Sequence, residues 1–165
     1  AADWLAAVLG EPLRLVRIDP SLPRLADPGY ALPGRQPVSF ADGYPVLMIS
    51  RESLADLNRR LPGTLPMERF RPNVVIEGVA AYAEDAMARF NFGPVVLRGV
   101  KQCVRCAIPT TDQRTGARDP AQEPLRTLKT YRNNRVLKGV IFGQNCVIDA
   151  GVGERLAVGA ELTII

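Results

Sequence analysis

Glycine and proline, fourteen of each in 165 residues, cut the apolar sequence into pieces too short for long helices. "PVLMIS", "NVVIEG", "VVLRGV" and "VIFGQNCVID" are strand-sized runs, each bounded by Gly, Pro or charge. Helical periodicity survives in three places. Trp4, Leu5, Val8 and Leu9 make a short amphipathic turn that Gly10 can close. Ser50 can cap a helix carrying Leu54, Leu57 and Leu61, which Pro62-Gly63 stops. Leu125, Leu128 and Tyr131 follow Pro124, a helix-start residue. "LRLVRI" at 13–18 alternates as a half-exposed strand would, and "YAEDAMARFNFG" passes from a helical turn into a strand. "ERLAVGAELTII" reads as a closing strand beyond the Gly151 and Gly153 turn. Residues 19–39 hold five of the fourteen prolines and read as a long irregular loop; 107–124 is a second, polar one. The sum is a mainly β chain: a barrel with a few short peripheral α-helices, not a layered α/β sheet. Residues 1–165 form one domain, with 1–40 leading into the barrel.

A hydrophobic fraction of 47% is too high for disorder, and no apolar run approaches the ~18 residues needed to span a bilayer. Neither a membrane partner nor a basic-then-apolar leader is visible, which sets a cytoplasmic expectation. The start at "AADWLAAVLG", without methionine, suggests a piece of a longer polypeptide. The net charge of +4 suits an anionic ligand. Basic residues do not interleave with aromatics as a base-stacking surface requires, so no nucleic-acid partner is expected. The chain has no histidine. Ser-His-Asp and Cys-His catalysis and every His-ligated metal site are thereby excluded.

"KQCVRCAIPTTDQRTG" (101–116) then holds most of the chemistry. A structural zinc or a Cys₄ cluster needs four ligands, and only Cys146 is left beyond Cys103 and Cys106. A thioredoxin-like pair belongs at a helix start, which Pro109 and its β-branched neighbours oppose. What remains is a reactive thiolate favoured by Lys101 and Arg105, able to ligate a soft metal brought by a cofactor, or to act as nucleophile or sulfur carrier. Two small packed hydrophobes fit the same spacing. Upstream, "RFRPNVVIEG" places Arg71 and Asn73 on alternate positions of an extended entry, where both can face one site. A guanidinium and an amide suit a phosphate or polar heterocycle, and equally a solvated strand entry. "GQN" adds a glycine that permits close backbone approach and the amides of Gln144 and Asn145.

In this order, "FADGYPVLMIS", "RFRPNVVIEG", "CVRCAIPTTDQRTG", "EPLRTLKTYR" and "FGQN" resemble the MOSC domain, in its amidoxime-reducing and YcbX-type branch, over essentially all of the chain. The resemblance implies a MOSC-type β-barrel that binds the pterin-based molybdenum cofactor. It places Cys106 as the molybdenum ligand and the catalytic position. It puts Arg71, Asn73 and Arg105 on the pterin or its phosphate, Gln144 and Asn145 in the same pocket on a "GQN" turn, and Tyr44 on another cofactor-lining loop. It implies reduction of small N-hydroxylated or N-oxygenated compounds, electrons from a separate reductase or iron–sulfur protein, and an upstream N-terminal barrel region supplied by a parent chain. The alternative it leaves is a non-catalytic cofactor-binding or sulfur-carrier module, with a persulfide on Cys106. Cys146 is assigned to packing.

Overall fold

The computed structural model describes residues 1–19, 21–31, 36–41 and 43–165. Its centre is a curled mixed sheet, a half-barrel, in the order β2-β1-β6-β4-β3-β7. The strands are β1 (Val46–Ser50), β2 (Val74–Ile76), β3 (Arg89–Phe92), β4 (Val95–Val104), β5 (Asn133–Asn134), β6 (Gly139–Ala150) and β7 (Thr163–Ile164). Only β1 and β2 run parallel; β5 pairs with the start of β6. Three helices accompany the sheet among the described residues: α1 (Ala2–Leu9), α2 (Arg51–Arg60) and α3 (Leu125–Tyr131). The mainly β expectation with few short helices is met.

The helix signals read from sequence act as expected. The Ser50 hydroxyl accepts from the Ser53 N–H at 3.0 Å, capping α2. Gly10 closes α1 at φ +73°. Leu57 is fully buried, and Leu54 and Leu61 pack beside it against Phe70, Leu128, Phe142 and Ile49. This cluster covers one face of the sheet. The other face carries Met48, Ile76, Met87, Phe90, Phe92, Leu97 and Cys146. Tyr82 ties the helices together: its hydroxyl bonds Asp56 Oδ2 and the Tyr131 hydroxyl, each at 2.8 Å.

Two expectations fail. Residues 13–18 form no strand, and Leu15 and Val16 are exposed. Alternation makes a strand only where a partner ladder exists, and this segment pairs with nothing described. Of the closing segment, only Thr163–Ile164 pairs, opposite Phe90 and Asn91. Gly151, Gly153 and Gly159, all at positive φ, keep the chain turning until then.

The two central strands switch faces part-way along. Phe142 packs in the helix-covered cluster, whereas Cys146 packs in the opposite one. Residues four apart on an uninterrupted strand share a face, so the alternation must break between them. Between Gln102↔Gln144 and Val104↔Ile141, β4 advances two residues and β6 advances three. The extra residue is a bulge centred on Gly143, whose φ is +84°. A second bulge lies on β4, where Gly99 pairs with Cys146 and Lys101 with Asn145. Between these two bulges Asn145, Lys101 and Leu47 share the helix-covered face, while Gln144, Gln102 and Met48 share the other.

Candidate functional site

The site is built where β4 ends. Alternate positions Lys101, Cys103 and Arg105 lie on the helix-covered face, and Arg105 extends the ladder by donating its N–H to Val140 O at 2.8 Å. The Arg105 guanidinium donates from Nη2 to Phe70 O at 2.9 Å and from Nη1 to Cys103 Sγ at 3.2 Å. Arg105 therefore fixes the end of β4 to the 3-10 turn Met67–Phe70. One residue on, Cys106 opens the loop with its thiol exposed.

The same contact brings the chain at Arg71 towards the chain at Cys106. Phe70 and Arg105 are joined by that bond, and Arg71 and Cys106 are their immediate neighbours. Arg71 is not on an extended segment as its spacing suggested: it caps the turn Met67–Phe70 in the left-handed region, φ +57° and ψ +46°. A β-carbon residue there costs about 1 kcal/mol or more, so the surroundings hold it in place. Its side chain is exposed, with no bonding partner among the described residues. Asn73 is committed differently. Its Oδ1 accepts the Leu47 N–H at 2.8 Å while its own N–H donates to Leu47 O at 2.9 Å, clamping β2 to β1. It leaves only its amide NH₂ for a ligand.

The "GQN" segment is no turn but the interior of β6, bent by the Gly143 bulge. Consecutive strand residues face opposite ways, so the two amides part company. Asn145 sits on the site's face, between Leu47 and Lys101, its side chain without a partner among the described residues. Gln144 turns to the opposite face. Its Nε2 would stand 2.7 Å from a Cβ on Gly99, beside Met87 O, and its buried Oε1 has no partner. Tyr44 lies near Tyr30. Its buried hydroxyl is without a partner among the described residues, and burial first, then nearby Asp27 and Tyr30, push its pKa up to about 12. Tyr30 in turn lies under Lys101, whose Nζ is 4.0 Å from the ring centroid. Cys146, fully buried, has its thiol pushed up to about 12 by desolvation, which matches its packing role.

The polar loop after Cys106 folds back as a small hairpin, with Thr111 bridged to Arg118. Asp112 accepts from Arg69 at 3.0 Å and Gln113 donates to Glu68 O at 2.7 Å, so the hairpin is docked on the turn that presents Arg71. A cleft of roughly 620 Å³ opens between α2 and β2, lined by Arg51, Asn58, Met67 and Val75 among others. None of Arg71, Asn73, Lys101, Arg105, Cys106 and Asn145 lines it, and it offers no thiol. Sequence reasoning missed two roles: Cys103 as the acceptor that orients Arg105, and Lys101 as a member of the same face. The period-two spacing Lys101-x-Cys103-x-Arg105 carried that signal.

Comparison with known proteins now decides the family. The MOSC domain profile matches residues 35–163. The chain belongs to the MOSC domain family. The human mitochondrial amidoxime-reducing component 1 is 38% identical over 160 residues, covering 90% of this chain and 46% of the relative. The mouse protein of that name is 39% identical over 153 residues, covering 87% and 45%. The molybdenum cofactor sulfurase of Arabidopsis thaliana is 33% identical over 155 residues, covering 85% of this chain and 19% of the relative. The MOSC chain thus spans less than half the length of these relatives. No described helix is long and apolar enough to cross a membrane.

Proposed function

We propose that this MOSC domain is the cofactor-binding part of a molybdenum-dependent reductase of N-hydroxylated compounds, with Cys106 as the metal ligand. One observation carries the reading: the Arg105–Phe70 bond ties the strand end before an exposed thiol, Cys106, to the turn that ends on Arg71, which the fold holds in the left-handed region. The surrounding groups suit a phosphate-bearing pterin with a soft metal. Arg71 offers a free guanidinium, Tyr44 a buried hydroxyl lacking a partner, and Asn145 and Asn73 amide groups. Arg105 acts through position, since its two Nη atoms already hold Phe70 O and Cys103 Sγ. Gln144 lies outside this set by its face. When bound, the cofactor supplies the two-electron chemistry that removes oxygen from nitrogen. The chain's own residues hold and orient it, and no histidine is required. A separate reductase or iron–sulfur protein supplies electrons, and an upstream barrel region of a parent chain adds further contacts.

The likeness to the sulfurase, together with the accessibility of Cys106, favours a second reading: a sulfur carrier that holds a Cys106 persulfide. Elemental mass spectrometry separates the two. The chain, a parent carrying the upstream region, and Cys106→Ser are purified from cells that make the cofactor. Stoichiometric molybdenum lost in Cys106→Ser supports the reductase. Sulfane sulfur on Cys106 with no molybdenum in any of the three sinks it.

A further inference from the structure

The polar row on the helix-covered face does not stop at Asn145. Lys101 lies directly opposite Asn145 in the β4–β6 ladder, with Cys103 and Arg105 following it on the same face. Lys101 is half-buried, and among the described residues its ammonium meets the Tyr30 ring and no carboxylate. A partly desolvated ammonium without an anion gives up hydration for little return. A π face recovers a fraction of that, and an anion would recover more. Asn145, its cross-strand neighbour, likewise has no partner for its amide among the described residues. Two adjacent donors, one cationic and one neutral, both uncommitted to acceptors among the described residues, suit a phosphate monoester.

Resting on the cofactor reading above, we propose that Lys101 and Asn145 form an anion subsite that takes the phosphate monoester of the bound cofactor. Arg71 and Cys106 then engage its other end. The Tyr30 ring holds the ammonium on this face when no anion is present.

Two measurements test this with Lys101→Met, Lys101→Arg and, as a charge control on exposed α3, Lys129→Met. Molybdenum and pterin per chain are read after gel filtration at graded salt. Separately, the ¹⁵N-labelled chain is titrated with methyl phosphate while the Asn145 side-chain amide resonances are followed. Loss of one charge-assisted contact corresponds to about tenfold to hundredfold weaker retention. That loss is expected in Lys101→Met, with retention restored in Lys101→Arg and unaffected in Lys129→Met. Methyl phosphate shifts the Asn145 resonances in the wild-type chain and not in Lys101→Met. Unchanged pterin and molybdenum in Lys101→Met, with no methyl phosphate response in wild type, overturn the proposal. Equal pterin with a KM raised only for an anionic substrate moves the anion to the substrate and overturns the cofactor assignment. A wild-type chain without molybdenum is a failure of the cofactor reading itself. The methyl phosphate titration then decides alone, its shifts upholding the subsite and their absence overturning it.

Discussion

Gly143→Ala probes the bulge that divides the two faces of β6. A Cβ at this position would lie 2.7 Å from Ile49 Cγ1, 2.9 Å from Met48 O and 3.2 Å from Leu47 Cδ1. The carbonyl belongs to β1 and cannot swing away as a side chain can. Placing Ala at φ +84° costs about 1–2 kcal/mol for the left-handed backbone alone. Crowding a packed core adds about 1–3 kcal/mol. Gly153→Ala is the internal control, because Gly153 has φ +91° but nothing within 4 Å of its added Cβ. It carries the backbone cost and no crowding. In urea, with a slope of about 2 kcal/mol per molar for a chain of this size, the Gly143→Ala midpoint falls by about 1–2.5 M and that of Gly153→Ala by about 0.5–1 M. Equal shifts in the two variants would refute the close-approach argument. A Gly143→Ala shift below about 0.5 M would refute the bulge as a fixed element.

Further expectations concern the site and its supports. Iodoacetamide on the folded, metal-free chain modifies Cys106 first and Cys146 only on unfolding, read by peptide mass spectrometry; early Cys146 labelling contradicts its burial. Arg71→Gly leaves thermal stability unchanged or raises it by up to about 1 kcal/mol while lowering molybdenum content, because it relieves the left-handed β-carbon and removes the guanidinium. Asn73→Ala costs about 0.5–1.5 kcal/mol in urea unfolding by removing the acceptor of the Leu47 N–H; a neutral result means β1 and β2 do not need the clamp. Asp56 is held down at about 2, chiefly by the Arg60 hydrogen bond, with Tyr82 and Arg59 assisting. A depressed carboxylate stabilises above its unfolded value of about 4 and loses that contribution as pH falls through the folded one. The stability gap between wild type and Asp56→Asn therefore closes between about pH 4 and pH 2, and a gap that persists to pH 2 contradicts it.

What the sequence made legible was local chemistry. Ser50, Gly10 and Leu57 announce their roles because capping and helical burial depend on residues within one or two turns. The Cys103–Cys106 spacing and the missing histidine narrowed the chemistry for the same reason. Arg71 and Asn73 could be named but not posed. Alternation suggested a shared direction, yet the 3-10 turn ends on Arg71 itself in the left-handed region, and Asn73 spends its oxygen on Leu47, 26 positions away. Gln144 and Asn145 were read as one polar pair because a bulge leaves little trace beyond a lone glycine. The register that separates them is set by β1 and β4, neither of which is near in sequence. "LRLVRI" had the right pattern and no neighbour to pair with.

The anchoring of Arg105 has a further consequence. Its N–H on Val140 O and its guanidinium on Phe70 O both act one residue before Cys106, ahead of the polar hairpin. The thiol's address is therefore set by β6 and the turn Met67–Phe70, and not by the tip of the hairpin that follows it. Residues 114–117 can change length and composition as an interchangeable cassette, provided Asp112 still meets Arg69 and Gln113 still meets Glu68 O. Evolution or a protein engineer can resculpt the rim of the site there without moving Cys106.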